Sequence, residues 1–224
     1  MPLPLPFFSQ YECRNETMEV FASDRRGIVE YKINNMGYRN EIDYAESDHG
    51  VGAYFGSSIT TAIGVPFQSG FAHASATALN SKCYQFGQGC MMIDNQESLR
   101  LLKAVLCCDL KPRYVMIQFI NLNRRYDHNT GRTTVSDSTH EDIELFHHTF
   151  DEIEKLLNNQ VWCFIGTDNA GNDVGHHITQ HPHCVSWNPR FIDLAGVGEH
   201  PGTKWHQMIT AGIVNNLQKQ LLLK

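Results

Sequence analysis

No apolar run in this 224-residue sequence approaches the roughly 18 residues that a membrane-spanning helix needs. Long basic stretches are also missing: none exceeds the pair Arg124-Arg125, and acidic residues outnumber basic residues by 24 to 18. Proteins that bind nucleic acid usually carry a basic patch that neutralises phosphates. We therefore expect neither a membrane span nor a nucleic acid partner.

Cysteine pairs with the CxxC spacing are absent, although the sequence contains seven cysteines. An odd number without this spacing is typical of reduced, mostly buried thiols, although a secreted protein with one unpaired thiol would show the same count. Residues 1–6 lack the basic region and the continuous apolar run of a signal peptide. We therefore expect a cytoplasmic protein.

Disordered chains combine few apolar residues with high charge, and this sequence has neither property. Its hydrophobic fraction is 42% and its charged fraction is 19%, and its length suits a single domain. Residues 27–34 alternate apolar and polar side chains, which favours a strand, and a turn signal follows at residues 34–37. We expect an extended lead-in over residues 1–45, packed on one domain over residues 46–224.

Strand and helix patterns alternate along the rest of the chain. Short apolar runs predict strands at residues 51–55, 82–86, 114–119 and 161–165. Helical periodicity and capping signals predict helices at residues 66–80, 94–107, 139–157 and 203–222. We interpret residues 120–138 and 166–182 as loops. This order predicts an α/β fold, a three-layer α/β/α sandwich around a central parallel sheet, whose ligands bind beyond the carboxyl ends of the strands.

Polar residues follow the predicted strands at that edge of the sheet. They form the groups Gly56-Ser57-Ser58, Gly87-Gln88-Gly89 and Asn121-Leu122-Asn123, and His200 precedes the last helix. A serine hydroxyl becomes a nucleophile when a histidine accepts its proton. Backbone N–H groups at a glycine-rich turn and a side-chain amide can then stabilise the developing oxyanion. These groups are the parts that acyl transfer requires.

The same segments resemble the conserved blocks of the SGNH (GDSL-like) hydrolases. Residues 55–60 resemble the block that carries the nucleophile, with Ser57 in place of the family's aspartate. Residues 84–90, 118–124 and 198–206 resemble the family's second, third and fourth blocks, in that order. Residues 31–39 resemble a segment that precedes the first block in some members. The resemblance spans roughly residues 28–220 and implies a flavodoxin-like three-layer fold.

The resemblance implies a serine ester hydrolase of the esterase or carbohydrate O-deacetylase type. In this assignment Ser58 is the nucleophile that forms the acyl-enzyme and His200 is its base. The Ser58 N–H, the Gly89 N–H and the Asn123 amide hold the oxyanion. A shift of one residue in the second block would put Cys90 in place of Gly89. The expected substrate is a small-molecule or carbohydrate ester, preferably with a small acyl group such as acetyl, and we expect no cofactor.

The third block leaves a second choice of residues open. Asn121 takes the place of the family's glycine, and Arg124 takes the place of its aspartate. Asn121 is therefore the alternative to Asn123 as oxyanion donor. Asn121 and Arg124 are also candidate substrate contacts, although we favour a surface ion pair as the role of the pair Arg124-Arg125.

The fourth block departs from the family at the position of the orienting aspartate, which is Val197. A valine side chain cannot accept a hydrogen bond from an imidazole N–H. Three alternatives follow: a Ser–His dyad with a backbone carbonyl as the orienting group, a substitute carboxylate from Asp193 or Glu199, or an inactive site. The last alternative would make the protein a catalytically silent SGNH-like fold that serves in binding.

Each candidate residue also has a plain structural role. Ser58 and the glycines suit chain reversal, Asn123 suits a loop cap, and His200 suits the start of a helix. The histidines between His176 and Cys184 match no usual structural zinc spacing, so we expect a packed loop there and no metal. Neither a P-loop nor a GxGxxG fingerprint is present, which disfavours a nucleotide-binding function.

Overall fold

The computed structural model describes residues 17–21, 28–44, 50–88, 93–107, 110–127, 129–130, 132–168, 172–195 and 200–223. The strands are β1 (Thr17–Phe21), β2 (Ile28–Lys32), β3 (Gly52–Gly56), β4 (Cys83–Gly87), β5 (Tyr114–Ile120), β6 (Arg124–Asp127), β7 (Arg132–Val135), β8 (Trp162–Thr167) and β9 (Cys184–Trp187). The helices are α1 (Phe71–Ala78), α2 (Asn95–Leu106), α3 (His140–Leu157), α4 (His176–Thr179) and α5 (Thr203–Leu221), and a 3-10 turn over Phe67–Ser69 precedes α1. None of the helices in these ranges is long and apolar enough to cross a membrane.

A parallel sheet forms the centre of the molecule. In the described ranges it has five strands in the order β4-β3-β5-β8-β9, and every neighbouring pair is parallel. The pairs β1–β2 and β6–β7 are antiparallel and lie outside this sheet. The predicted α/β fold with a central parallel sheet is therefore confirmed.

Helices cover both faces of the sheet. On β5, Val115, Ile117 and Phe119 pack in the cluster that contains α2 and α3 side chains. Tyr114 and Met116 point to the opposite face and pack with α1 and α5. Both faces are buried, which explains why β5 shows no alternation of apolar and polar side chains. Burying each such side chain stabilises the fold by about 1.5–3 kcal/mol.

Side-chain caps start two of the predicted helices. The Asp94 carboxylate accepts a hydrogen bond from the Glu97 N–H at the start of α2, over 2.8 Å. Thr139 and Asp142 form a reciprocal capping box at the start of α3. Each cap satisfies backbone N–H groups that have no partner within the helix. The capping signals in the sequence therefore placed both helix starts correctly.

The sequence pattern did not predict β9, α4 or the β6–β7 hairpin. The side chains of β9 and β6 are only half-buried, so neither strand shows an apolar run. β9 is the edge strand next to β8, and its pairing contains an irregularity between Phe164 and Ile165. These strands are held by main-chain hydrogen bonds, and a half-buried strand shows no clear hydrophobic periodicity from which it could be predicted.

Residues 31–44, which we call the edge segment, lie against the other edge of the sheet. The side chain of Asn40 donates to the Gln85 carbonyl and accepts from the Gln85 N–H, both over 3.0 Å. The Gln85 side chain in turn donates to the Arg39 carbonyl over 3.1 Å. The edge segment thereby occupies backbone groups of β4 that would otherwise be open to another strand.

Candidate active site

The carboxyl ends of β3, β4 and β5 meet at one edge because these strands are parallel neighbours. The Gln88 N–H, just beyond β4, donates to the Gly56 carbonyl at the end of β3 over 2.9 Å. Ser57 and Asn121 directly follow β3 and β5. The predicted clusters of polar residues thus lie at a common edge.

Ser58 lies in a run of tight turns over residues 57–65, which we call the Ser58 turn. Its main-chain hydrogen bonds include Thr61 N–H to Ser57 carbonyl, 3.0 Å, and Ile63 N–H to Ser58 carbonyl, 3.1 Å. Gly56 enters the turn with φ of +151°, and a Cβ there would lie 2.4 Å from the Thr60 hydroxyl oxygen. Only glycine fits this position, because both the backbone angle and the space exclude a side chain.

The two serines of the turn have different surroundings. Ser57 is tied to the buried amide of Gln118, which accepts from the Ser57 N–H over 3.1 Å and donates to the Ser57 hydroxyl over 3.0 Å. The same Gln118 oxygen accepts from the Thr60 hydroxyl over 2.7 Å. Ser58 is 8% exposed, and its hydroxyl makes no hydrogen bond within the described residues. Ser57 therefore anchors the turn, and the role of Ser58 as the nucleophile stays a prediction.

The segment that carries His200 packs against the Ser58 turn. We define the His200 loop as residues 188–195 and 200–202. Its Ala195 forms a small buried cluster with Ala62 and Val65 of the Ser58 turn. The Ala195 N–H donates to the His200 carbonyl over 2.6 Å. Segments that are more than a hundred residues apart in the sequence, and that carry Ser58 and His200, are thus in contact.

Asp193 holds the start of α5. Its carboxylate accepts from the N–H groups of Lys204 and Trp205, each over 2.8 Å. Its carbonyl accepts from the Gly202 N–H over 2.9 Å, and a Cβ on Gly202 would collide with the carboxylate. A carboxylate at a helix N-terminus satisfies free N–H groups and interacts favourably with the helix dipole. The role of Asp193 as the group that orients His200 stays a prediction.

The two asparagines of the third block differ in position. The Asn123 amide nitrogen donates to the Ser136 carbonyl beyond β7, and its oxygen is buried without a hydrogen-bond partner in the described ranges. Asn121 is half-buried at the end of β5, and its carbonyl accepts from the Arg124 N–H over 3.2 Å. The Asn123 amide is therefore engaged with the hairpin, whereas Asn121 lies at the sheet edge.

Arg124 and Arg125 begin β6 and are both half-buried. Arg125 forms an ion pair with the Asp142 carboxylate and donates to the Leu122 carbonyl over 2.7 Å. Arg125 therefore joins the third block to the start of α3, and its interaction is structural. The role of Arg124 as a substrate contact stays a prediction.

Four residues of the sequence assignment lie outside the described residues: Gly89, Cys90, Val197 and Glu199. The backbone donor of the second block and the position of the missing aspartate therefore stay predictions. Gln88, the residue before Gly89, is described and buried at the sheet edge.

His206 is a buried histidine to which the sequence assigned no role. Its Nδ1 accepts a hydrogen bond from the Phe71 N–H at the start of α1, over 3.2 Å. Burial lowers the pKa of His206 to about 3, although the Asp193 carboxylate opposes the shift. The neutral ring therefore connects α5 to the start of α1.

The neutral state of His206 should make stability depend on pH. Because an unfolded histidine has a pKa of about 6.5, the unfolded chain binds a proton below that pH that the folded chain does not bind. The stabilising contribution is complete above about pH 6.5 and falls by up to about 1.4 kcal/mol per pH unit as the pH decreases toward 3. His206→Gln should therefore have a shallower loss of unfolding free energy between pH 6 and 4 than the wild type, measured by urea denaturation. Equal slopes would show that folded His206 binds the proton.

The histidines between His176 and Cys184 are distributed over separate contacts. The His177 ring stacks on His147 at a centroid distance of 4.9 Å, and the His181 ring lies 3.0 Å from a Glu154 carboxylate oxygen. Within the described residues, no group of three or more His, Cys, Asp or Glu side chains is arranged to hold a metal ion.

Sequence reasoning missed two buried polar residues that shape the site. Gln118 interrupts the apolar run of β5, and Arg39 lies in the edge segment. A polar residue inside an apolar strand indicates a buried hydrogen-bonding role. That signal was present for Gln118. The position of Arg39 depends on a contact between distant segments that no local pattern indicates.

No protein-family model matches the chain, and no curated protein matches it. Solved structures do resemble it. One is a carbohydrate esterase family 2 enzyme with a carbohydrate-binding domain from Corynascus thermopiles (Myceliophthora fergusii), with a TM-score of 0.55 and 13% identity over 80% of this chain and 69% of that one.

Two further esterase structures are similar. An acetyl xylan esterase from the rumen bacterium Butyrivibrio proteoclasticus has a TM-score of 0.51 and 14% identity, over 80% of this chain and 65% of that one. A two-domain esterase active on acetylated mannans has a TM-score of 0.51 and 15% identity, over 78% of this chain and 51% of that one. At such low identity the similarity concerns the fold, and this chain has the α/β fold of these carbohydrate esterases.

Proposed function

We propose that this protein is a serine ester hydrolase with Ser58 as nucleophile and His200 as base. The observation that carries the proposal is the contact between the Ser58 turn and the His200 loop through Ala62, Val65 and Ala195. It brings together segments that carry the two residues acyl transfer requires. The Ser57 hydroxyl is bound to Gln118, whereas the Ser58 hydroxyl makes no hydrogen bond within the described residues, which supports Ser58 over Ser57 for this role.

The proposed reaction has two steps. The Ser58 oxygen attacks the acyl carbon while His200 takes the hydroxyl proton, and the intermediate expels the alcohol, which receives that proton from His200. Water then attacks the acyl-enzyme with His200 again as base, which releases the acid and restores the Ser58 hydroxyl. Each step conserves atoms and protons, and neither needs a cofactor.

For the substrate, we propose a small acyl group, such as acetyl, on a carbohydrate or another polar alcohol. The support is the fold shared with enzymes described as an acetyl xylan esterase and as an esterase active on acetylated mannans. Arg124 and Asn121 are the proposed contacts to the polar part of the substrate. A series of p-nitrophenyl esters with increasing acyl length should show its highest kcat/KM at acetate.

For the oxyanion we propose backbone N–H groups of Ser58 and Gly89 and one amide from the third block. The Asn123 amide nitrogen donates to the Ser136 carbonyl, and Asn121 directly follows β5, the strand next to β3, which supports Asn121 as the donor over the first assignment to Asn123. Asn121→Ala should lower kcat by about 10²–10³ with little change in KM, because an oxyanion donor acts mainly in the transition state. Asn123→Ala is the matched variant, and a kcat loss confined to Asn123→Ala would restore the original assignment.

A fluorophosphonate probe tests the proposal directly, because it reacts only with an activated serine. We expect stoichiometric labelling, with the modified peptide containing Ser58, and turnover of p-nitrophenyl acetate. A folded wild type with neither labelling nor turnover would instead support the catalytically silent binding protein that the Val197 position suggests.

A further inference from the structure

Arg39 is a buried cation that binds three carbonyls of the Ser58 turn. The residue is only 1% exposed. The guanidinium donates to the carbonyls of Thr61 over 3.0 Å, Ala62 over 2.5 Å and Val65 over 2.9 Å. Burying a charge is expensive unless hydrogen bonds compensate it, so this arrangement requires that the three carbonyls stay in place.

One peptide group connects Arg39 to the backbone of Ser58. The peptide between Ala62 and Ile63 accepts from Arg39 at its oxygen and donates from its N–H to the Ser58 carbonyl over 3.1 Å. A hydrogen bond at one end of a peptide polarises the group and strengthens the bond at the other end. A shift of this peptide would therefore move the Ser58 carbonyl, and the side chain with it.

The turn needs this support because part of its backbone is unfavourable. Ala62 has φ of +56°, a left-handed conformation that costs a residue with a side chain about 1–2 kcal/mol. Arg39 binds carbonyls on both sides of the strained residue, those of Thr61 and Ala62 itself.

The edge segment fixes Arg39 in turn. The guanidinium carbon lies 3.6 Å from the centre of the Tyr31 ring, and the Tyr31 hydroxyl accepts from the Gly64 N–H over 2.7 Å. The Arg39 carbonyl is held by Gln85 of β4 over 3.1 Å. Gln85 thus fixes the Arg39 backbone, and the Tyr31 ring fixes the guanidinium through a favourable cation–π contact.

We propose that Arg39 is a positioning residue that holds Ser58 in its reactive geometry, an inference that rests on the proposed function. Arg39 acts through the peptide backbone of the Ser58 turn and does not touch the substrate. Displacing a nucleophile by about 1 Å can cost about 10²-fold in rate. Arg39 therefore supports the site, although it precedes the nucleophile by 19 residues.

Arg39→Met tests the inference, with Arg39→Lys as a second variant that keeps the charge. Arg39→Met should lower both kcat and the rate of fluorophosphonate labelling of Ser58 by about 10²-fold per folded molecule, with KM changed far less. Arg39→Lys should recover part of this loss, because an ammonium can reach one or two of the carbonyls but lacks the planar fork. Circular dichroism and the thermal midpoint establish the folded fraction of each variant.

Asn40→Ala is the matched control, because Asn40 lies in the same segment and binds the Gln85 backbone without touching the Ser58 turn. It should lower the thermal midpoint yet keep kcat and the labelling rate near those of the wild type. If Arg39→Met does not fold, Arg39→Lys decides: a wild-type labelling rate in that folded variant overturns the inference.

The two proposals fail in different ways. Wild-type protein that labels and turns over, together with a folded Arg39→Met that labels at the wild-type rate, overturns the role of Arg39 alone. The same conclusion follows if Asn40→Ala loses as much rate per folded molecule as Arg39→Met, since the loss then comes from any disturbance of the edge segment and not from the Arg39 hydrogen bonds. A folded wild type that neither labels nor turns over overturns the proposed function and this inference together.

Discussion

Ser58→Ala should abolish hydrolysis of p-nitrophenyl acetate, with a loss in kcat of about 10⁴–10⁶-fold. The variant lacks the oxygen that forms the acyl-enzyme, so only hydrolysis assisted by the oxyanion donors remains. The fold should be unaffected, because the Ser58 hydroxyl makes no hydrogen bond within the described residues. Steady-state kinetics, fluorophosphonate labelling and the thermal midpoint measure the three expectations.

Ser57→Ala is the matched control for this experiment. The neighbouring serine has the same chemistry, but its hydroxyl hydrogen-bonds to Gln118. Its loss should destabilise the Ser58 turn by about 0.5–1.5 kcal/mol and leave measurable turnover and labelling. Equal activity of Ser58→Ala and wild type would remove Ser58 as the nucleophile, and loss of labelling only in Ser57→Ala would assign that role to Ser57.

His200→Ala should reduce kcat almost as much as Ser58→Ala, because a serine hydroxyl without a base is a poor nucleophile at neutral pH. The His200 loop should keep its position, since the Ala195 cluster and the Asp193 bonds to α5 do not involve the imidazole. Labelling by the fluorophosphonate should slow in parallel with turnover.

The double variant Ser58→Ala/His200→Ala separates a shared step from two independent effects. Residues that act as one unit are strongly non-additive, so the double variant should be no slower than either single one. Losses that multiply would show that the two side chains serve different steps. His206→Ala is the histidine control: it should lower stability through the lost Phe71 contact and leave the labelling rate per folded molecule largely intact.

The positions of the polar residues at the strand ends could be predicted from the sequence, because strands are recognised by local periodicity. Apolar runs that are buried on both faces identify parallel strands, and residues just beyond them lie at the ligand-binding edge. The predicted positions of Ser58 and Asn121, just beyond β3 and β5, follow from this pattern. The difference between Asn121 and Asn123 was not, because the bond from Asn123 to Ser136 depends on the β6–β7 hairpin, whose polar strands show no apolar pattern.

By itself, the sequence determined the fold class, the core strands β3, β4, β5 and β8, and the capped starts of α2 and α3. Only the tertiary structure decided that the His200 loop packs on the Ser58 turn and that Asp193 caps α5. It also decided that Arg39 supports the turn. The physical reason is the distance along the sequence over which each feature acts. Periodicity and helix caps depend on residues only a few positions apart. The other contacts join distant segments that meet only when the chain buries both faces of the sheet.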